Sequence, residues 1–147
     1  MKHNTFIYRR NLFQRIICKF VCKLQGAELP PPSNMGENIH FPHGLKGIVL
    51  HPNTVIEDDV TIFHQVTCGR GDLFRIDKKV SESQFKGILI KKGAILCAGV
   101  KIICNRGTLV VGENTVVGAN AVLTKSTGKD EIWVGVPAHC LKQRDIN

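Results

Sequence analysis

Histidine is the side chain best suited to take and return a proton near neutral pH. The chain has six: His3, His40, His43, His51, His64 and His139. His43 is set apart by its place in FPHGLKGIVL, where an otherwise regular six-residue spacing of apolar residues is interrupted. His64, two residues after Ile62, is expected to face outward, lining a site or acting as a reserve base. His40 and His51 read as surface residues, and His3 and His139 carry no assigned role. The chemistry such an imidazole offers is activation of a hydroxyl. An alcohol at pH 7 attacks a thioester poorly, and a base that takes its proton as the bond forms gains about 10²–10⁴ in rate. A carboxylate on the other ring nitrogen would fix the tautomer. The oxyanion that develops needs backbone N–H donors, and Gly69, at the step into a long polar segment, is the candidate.

Other chemistries find less support. The six cysteines (Cys18, Cys22, Cys68, Cys97, Cys104 and Cys140) form no CxxC and no zinc-finger spacing. They read as buried, reduced thiols of a cytoplasmic protein, and no metal is expected. The net charge of +8 favours anionic partners. With seven phenylalanines, one tryptophan, one tyrosine and no basic stripe among them, nucleic acid is excluded. A phosphorylated ligand or an acidic lipid remains.

The elements that must position these residues are written in a beat of six. Leu50, Ile56, Ile62 and Cys68 keep it, as do Ile90, Leu96 and Ile102, then Val111, Val117 and Leu123; Met35 and Phe41 begin it. Three residues after each apolar one stand Asn38, Asn53, Asp59, Gln65, Gly93, Gly99, Asn105, Asn114 and Asn120. All but Gln65 are types that tolerate a positive φ. The following position is small or β-branched: Thr54, Val60, Val66, Ala94, Val100, Thr115 and Ala121. Six is the period of neither an amphipathic helix nor an alternating strand. A short strand and a tight turn, repeated, explain it, because stacked coils bury a continuous column. The fold is therefore all-β, a parallel β-helix of hexapeptide repeats with three hexads per coil. An excursion loop at about 69–87 interrupts it, as does the nine-residue step from Phe41 to Leu50, and loops thrown from a rigid scaffold commonly carry function. The prism is expected to end after Lys125, with Gly135–Ala138 as a turn and Trp133 packing the C-terminal segment.

With 147 residues the prism is one domain, divided as an N-terminal helical segment over 1–26 and a repeat domain over 27–147. Residues 5–24 carry an apolar stripe between Arg and Lys and read as a helix packed on the prism or on a neighbouring subunit. Peripheral contact with a membrane surface is the alternative. No apolar run reaches the ~18–20 residues of a membrane span, and no cleavable leader is expected.

LPPPSNMGENIHFPHGLKGIVL, NTVIEDDVTIFHQVTCG, ILCAGVKII, VVGANAVLTKS and VGVPAHCLK together resemble the hexapeptide-repeat acyltransferases, in particular their serine acetyltransferase-like branch, over roughly residues 26–143. In place of that branch's long N-terminal helical domain this sequence has one short helical segment. The resemblance implies a left-handed helix, a homotrimer with active sites at subunit interfaces, acetyl-coenzyme A as donor and a hydroxyl acceptor. It implies His43 as catalytic base and Glu28, fifteen residues earlier, as the carboxylate that orients it. Glutamate stands there for the serine enzymes' aspartate. Two further departures bear on the acceptor. Pro42 replaces the aspartate that helps hold the amino acid, and Gln84-Phe85-Lys86-Gly87 lacks the second histidine. A saccharide or sugar-nucleotide acceptor is therefore expected, as in the polysaccharide-modifying members. Serine acetylation is the first alternative and a non-catalytic solenoid the second. For the cofactor, Gly69, Ala98, Gly99, Gly118 and Ala119 are small enough for a pantetheine arm to approach the backbone. Arg70, Lys125 and Lys142 are candidates for its phosphates.

Overall fold

The computed structural model describes residues 12–72 and 84–145. Helix α1 spans Leu12–Gln25. The part of the expected 5–24 helix before Leu12, and residues 73–83 of the expected loop, lie outside the described residues. After α1 come thirteen strands: β1 Pro42–Leu45, β2 Val49–Leu50, β3 Thr54–Ile56, β4 Thr61–Ile62, β5 Thr67–Arg70, β6 Phe85–Ile90, β7 Ile95–Leu96, β8 Lys101–Cys104, β9 Gly107–Val111, β10 Val116–Val117, β11 Val122–Leu123, β12 Glu131–Gly135 and β13 Ala138–Gln143.

The strands stack by threes into a triangular prism. Its first face is β2, β5, β8 and β11, its second β3, β6 and β9, and its third β4, β7, β10 and β12. All pairs within these faces are parallel. Single bridges Glu28–Val49, Met35–Ile56 and His40–Thr61 add a first coil above them. This is the parallel β-helix expected from the repeat, with the left hand that the resemblance implies.

The beat of six is the inner column of each face. Leu50, Cys68, Ile102 and Leu123 stack inside the first, Ile56, Ile90 and Val111 inside the second, and Ile62, Leu96 and Val117 inside the third; all are buried. The small or β-branched residues that follow each corner are buried as well, so each rung sends two side chains inward. Full burial of such a side chain contributes about 1.5–3 kcal/mol. No rung could hold this alone, and the stack shares it.

The corners are not equivalent. Asn38, Asp59, Gly93 and Asn114, between the second and third faces, have positive φ. So do Gln65, Gly99 and Asn120, between the third and first. Asn53 and Asn105, between the first and second faces, do not. The corner rule therefore holds at two edges. At the third edge the expected 69–87 loop is shorter than its bounds: Gly69 and Arg70 still pair with β8, and Phe85 to Gly87 already pair with β9.

The C-terminal end differs from expectation. The chain does not leave the prism after Lys125. The Thr127 N–H bonds the Val110 carbonyl (2.9 Å), and β12 pairs in parallel with β10, which completes another coil. Trp133 drives this, because its ring occupies the inner position beneath Val117 and is 7% exposed. Its Nε1–H is satisfied by Glu131 Oε2 at 2.7 Å. Only then does the chain reverse through Gly135–Ala138 into antiparallel β13. Among the described residues no helix is long and apolar enough to cross a membrane.

Candidate active site

His43 sits on β1, in the nine-residue step between the third face of one coil and the first face of the next. The extra residues are pinned on both sides. Leu45 and Ile48 are buried in the core. Gly44 adopts φ +70° and donates to the Phe41 carbonyl (3.1 Å), a turn a side chain would strain. The end of α1 holds the segment from outside: the Leu45 N–H bonds Gln25 Oε1 (2.6 Å) and the Gly47 N–H bonds the Gln25 carbonyl (2.9 Å). Between these anchors the His43 side chain stands exposed.

One rung below, Phe63 and His64 meet it. The His43 and Phe63 ring centroids are 5.6 Å apart, and those of His43 and His64 are 5.2 Å apart in a near-perpendicular, 82° arrangement. The same edge continues downward. The Gln65 N–H bonds the Lys46 carbonyl, the Gly99 N–H bonds the His64 carbonyl, and the Asn120 N–H bonds the Ala98 carbonyl. Ala98–Gly99 and Gly118–Ala119 thus lie one and two rungs beneath His64, at about 4.8 Å per rung. Four of the residues singled out for a pantetheine arm and both candidate imidazoles therefore share one edge of the prism. Packing accounts for part of this smallness: a Cβ on Gly118 would stand 3.0 Å from Val134 Cγ1, and Gly99 needs its φ of +74°.

Glu28 lies in the outward column of the first face, directly above Val49, and is exposed. Among the described residues its carboxylate makes no hydrogen bond or ion pair, with His43 or any other group. Gly69 and Arg70 sit at the far end of the first face. Four residues past the Gln65 corner, Gly69 is about 13 Å along the strand. Within one protomer neither belongs to the His43 edge. The Arg70 guanidinium is also engaged, Nε to Asp72 Oδ1 at 2.9 Å and an Nη to Oδ2 at 3.1 Å, and it rests over the Phe85 ring at 5.8 Å. The Asp72 partner raises the guanidinium's already high pKa. Beside it, His51 packs edge-on to Phe85 (4.8 Å), and burial with the Arg70 charge lowers its pKa. Lys125 lies over the Trp133 ring at 5.6 Å, under the last rung. Lys142 pairs with Ile132, at the end of the third face away from Gly118, with Asp145 at 4.0 Å. The three phosphate candidates are thus dispersed. The cations on the His43 edge are exposed Lys46 and half-buried Lys101, whose Nζ donates to the Gln65 carbonyl at 2.7 Å.

Sequence reasoning missed Gln25, Phe63, Lys46 and Lys101. Phe63 carried a signal: it follows inward Ile62, so it faces out beside His64. Gln25 carried none, since its contact with Leu45 spans twenty residues. Among the described residues no group of three His, Cys, Asp or Glu is gathered to hold a metal.

No protein-family model matches the chain. It is 33% identical over 113 residues to a putative serine acetyltransferase of Schizosaccharomyces pombe, covering 77% of this chain and 37% of that protein. Among solved structures it matches a serine acetyltransferase in complex with coenzyme A at 31% identity and TM-score 0.59, over 73% of this chain and 38% of the other. It also matches the serine acetyltransferase of Brucella abortus at 24% identity and TM-score 0.71, over 92% and 50%. The chain thus spans under two thirds of the length of the curated relatives it matches. Prism, interrupted first coil and these likenesses together place it in the hexapeptide-repeat acyltransferase family.

Proposed function

We propose that this chain is an acetyl-coenzyme A-dependent O-acetyltransferase in which His43 is the general base. The observation that carries the reading is the exposed imidazole at the head of a rail of small residues along one prism edge. Acetyl-coenzyme A would supply the activated thioester. The rail fits a pantetheine arm, because Ala98, Gly99, Gly118 and Ala119 leave the backbone open to close approach. For the phosphates, Lys46 and Lys101 are better placed than Arg70. His43 takes the proton of the acceptor hydroxyl as its oxygen bonds the acyl carbon, and returns a proton to the sulfur as the carbon–sulfur bond breaks. No acyl-enzyme is needed. Glu28 is the carboxylate for the other ring nitrogen, and it would have to turn toward His43 as the site closes around its substrates.

The working unit is a homotrimer with sites on its seams. Two sets of residues support this: His43 with the small rail on one edge, Gly69 and Arg70 on another. A cyclic assembly brings unlike edges of neighbouring copies together.

Serine is the acceptor that the relatives' names favour. A saccharide hydroxyl is the second reading, and Pro42 supports it, because a residue without charge stands where an amino acid's ammonium would need a partner. The test is release of free thiol from acetyl-coenzyme A with serine and with a panel of sugars and sugar nucleotides. His43→Ala is expected to lower turnover with the true acceptor by about 10²-fold or more. Equal rates in wild type and variant would remove His43 as the base, and no acceptor-dependent thiol release from the wild type would leave a binding solenoid and end the enzymatic reading.

A further inference from the structure

His64 differs from every other histidine described. Its Nδ1 is enclosed by protein and has no hydrogen-bond partner. Its Nε2 is not enclosed in this way, and among the described residues it makes no hydrogen bond either. The ring is set edge-to-face against His43, and the His64 carbonyl is tied to the Gly99 N–H at 3.0 Å, so it sits on the rigid ladder of the edge and not on a loop.

The two uncharged tautomers are not equivalent in this pocket. With hydrogen on Nδ1, a buried N–H would lack an acceptor, at about 1–3 kcal/mol, and orphaned buried N–H groups are rare in native proteins. With hydrogen on Nε2, the enclosed nitrogen carries only a lone pair, and the N–H lies on the side of the ring that protein does not enclose. A second consideration agrees. Gly69 cannot serve His43 as an oxyanion donor within one protomer, since it lies at the far end of the first face. Among the described residues, His64 is the one side chain with an N–H in ring contact with His43.

We infer that His64 is held as the Nε2–H tautomer and acts as a fixed hydrogen-bond donor, to the oxygen that gains negative charge as the acyl carbon is attacked at His43. It is thus a catalytic residue of a different kind from the base beside it: it donates a hydrogen bond and keeps its proton. The inference rests on acyl transfer at the His43 edge.

Two measurements test it. Long-range nitrogen–proton NMR spectra of the histidine-labelled full chain report the tautomer without any turnover. The Nε2–H signature is expected for His64, and an Nδ1–H signature would overturn the inference. Steady-state kinetics give the second readout. His64→Ala is expected to lower kcat by about 10²–10³-fold while the KM for acetyl-coenzyme A stays within twofold. His64→Gln, whose amide nitrogen reaches the Nε2 position, should recover at least a tenth of wild-type kcat. His64→Asn, whose amide reaches only the Nδ1 position, should behave as alanine. Loss in the glutamine variant as deep as in the alanine variant would show that His64 works as a base, and would overturn the donor role. Should wild type acetylate no hydroxyl at all, the proposed function falls on that result, while the spectrum still decides the tautomer.

Discussion

Burial pushes the Cys68 thiol up to about 12, because the thiolate would have to form inside the inner column of the first face. The sign of the consequence is fixed. In the unfolded chain the thiol ionises near its ordinary value, in the folded chain far above it. Between those values the unfolded state holds fewer protons, so stability is intact at neutral pH and falls as pH rises through about 9 and beyond. The slope is at most about 1.4 kcal/mol per pH unit. Cys68→Ala lacks this term. Urea unfolding at pH 8, 9 and 10 should therefore show the stability gap between wild type and Cys68→Ala shrinking by about 1 kcal/mol or more, and a constant gap would show that the thiol ionises alike in both states. The same burial gives Cys68 no part in chemistry at the His43 edge. Cys97 lies beside that edge, and burial raises its pKa as well.

The rung is the unit that the sequence spells out. Its inner residue repeats every six, so Leu50, Ile56 and Ile62 announce three faces before any coordinate is known. Corners are less legible, because positive φ is needed only where the chain turns tightly between stacked rungs. Asn53 and Asn105 have the right residue type at an edge that does not turn this way, and Gln65 has the wrong type at one that does. An L-residue other than Gly, Asn or Asp in the left-handed region costs about 1–2 kcal/mol. Gln65→Asn is accordingly expected to raise unfolding stability by a few tenths to about 1 kcal/mol in urea titration. A fall in stability would mean that the Gln65 side chain, beside Gly47 and under Lys46, contributes more than its backbone loses. The site was legible to the same degree. His43 could be found because it interrupts the beat. Phe63, Gln25 and the lysines reach its edge only through the register of stacked coils, and a single rung does not encode that register.

At the scale of the molecule, the three edges of the prism have separate fates. Between the second and third faces, side chains close on one another: Asn38 Nδ2–H bonds Asp59 Oδ1 (3.2 Å), Asn114 Nδ2–H bonds Asp130 Oδ1 (3.0 Å), and Lys92 reaches Asp59 at 3.5 Å. That edge is a finished ladder. The third-to-first edge carries His43, His64 and the small rail, and the first-to-second edge carries Gly69 and Arg70. A rigid prism cannot fold its own edges together, so if both serve one reaction, the second must come from a neighbour. Gly69 offers a clean way to test this. A Cβ there would meet only Ile103 Cδ1, at an ordinary 3.9 Å, so Gly69→Trp burdens the seam and not the chain's own packing. His43→Ala and Gly69→Trp should each be nearly inactive alone, and each should retain a mass near three times 16.3 kDa by light scattering. When the two are unfolded, mixed in equal amounts and refolded, a random cyclic trimer places an intact His43 against an intact Gly69 edge at about one seam in four. About a quarter of wild-type activity is therefore expected from two inactive parents. Recovery of none, with mixed trimers demonstrated by mass, would confine the site to a single protomer and remove Gly69 and Arg70 from it.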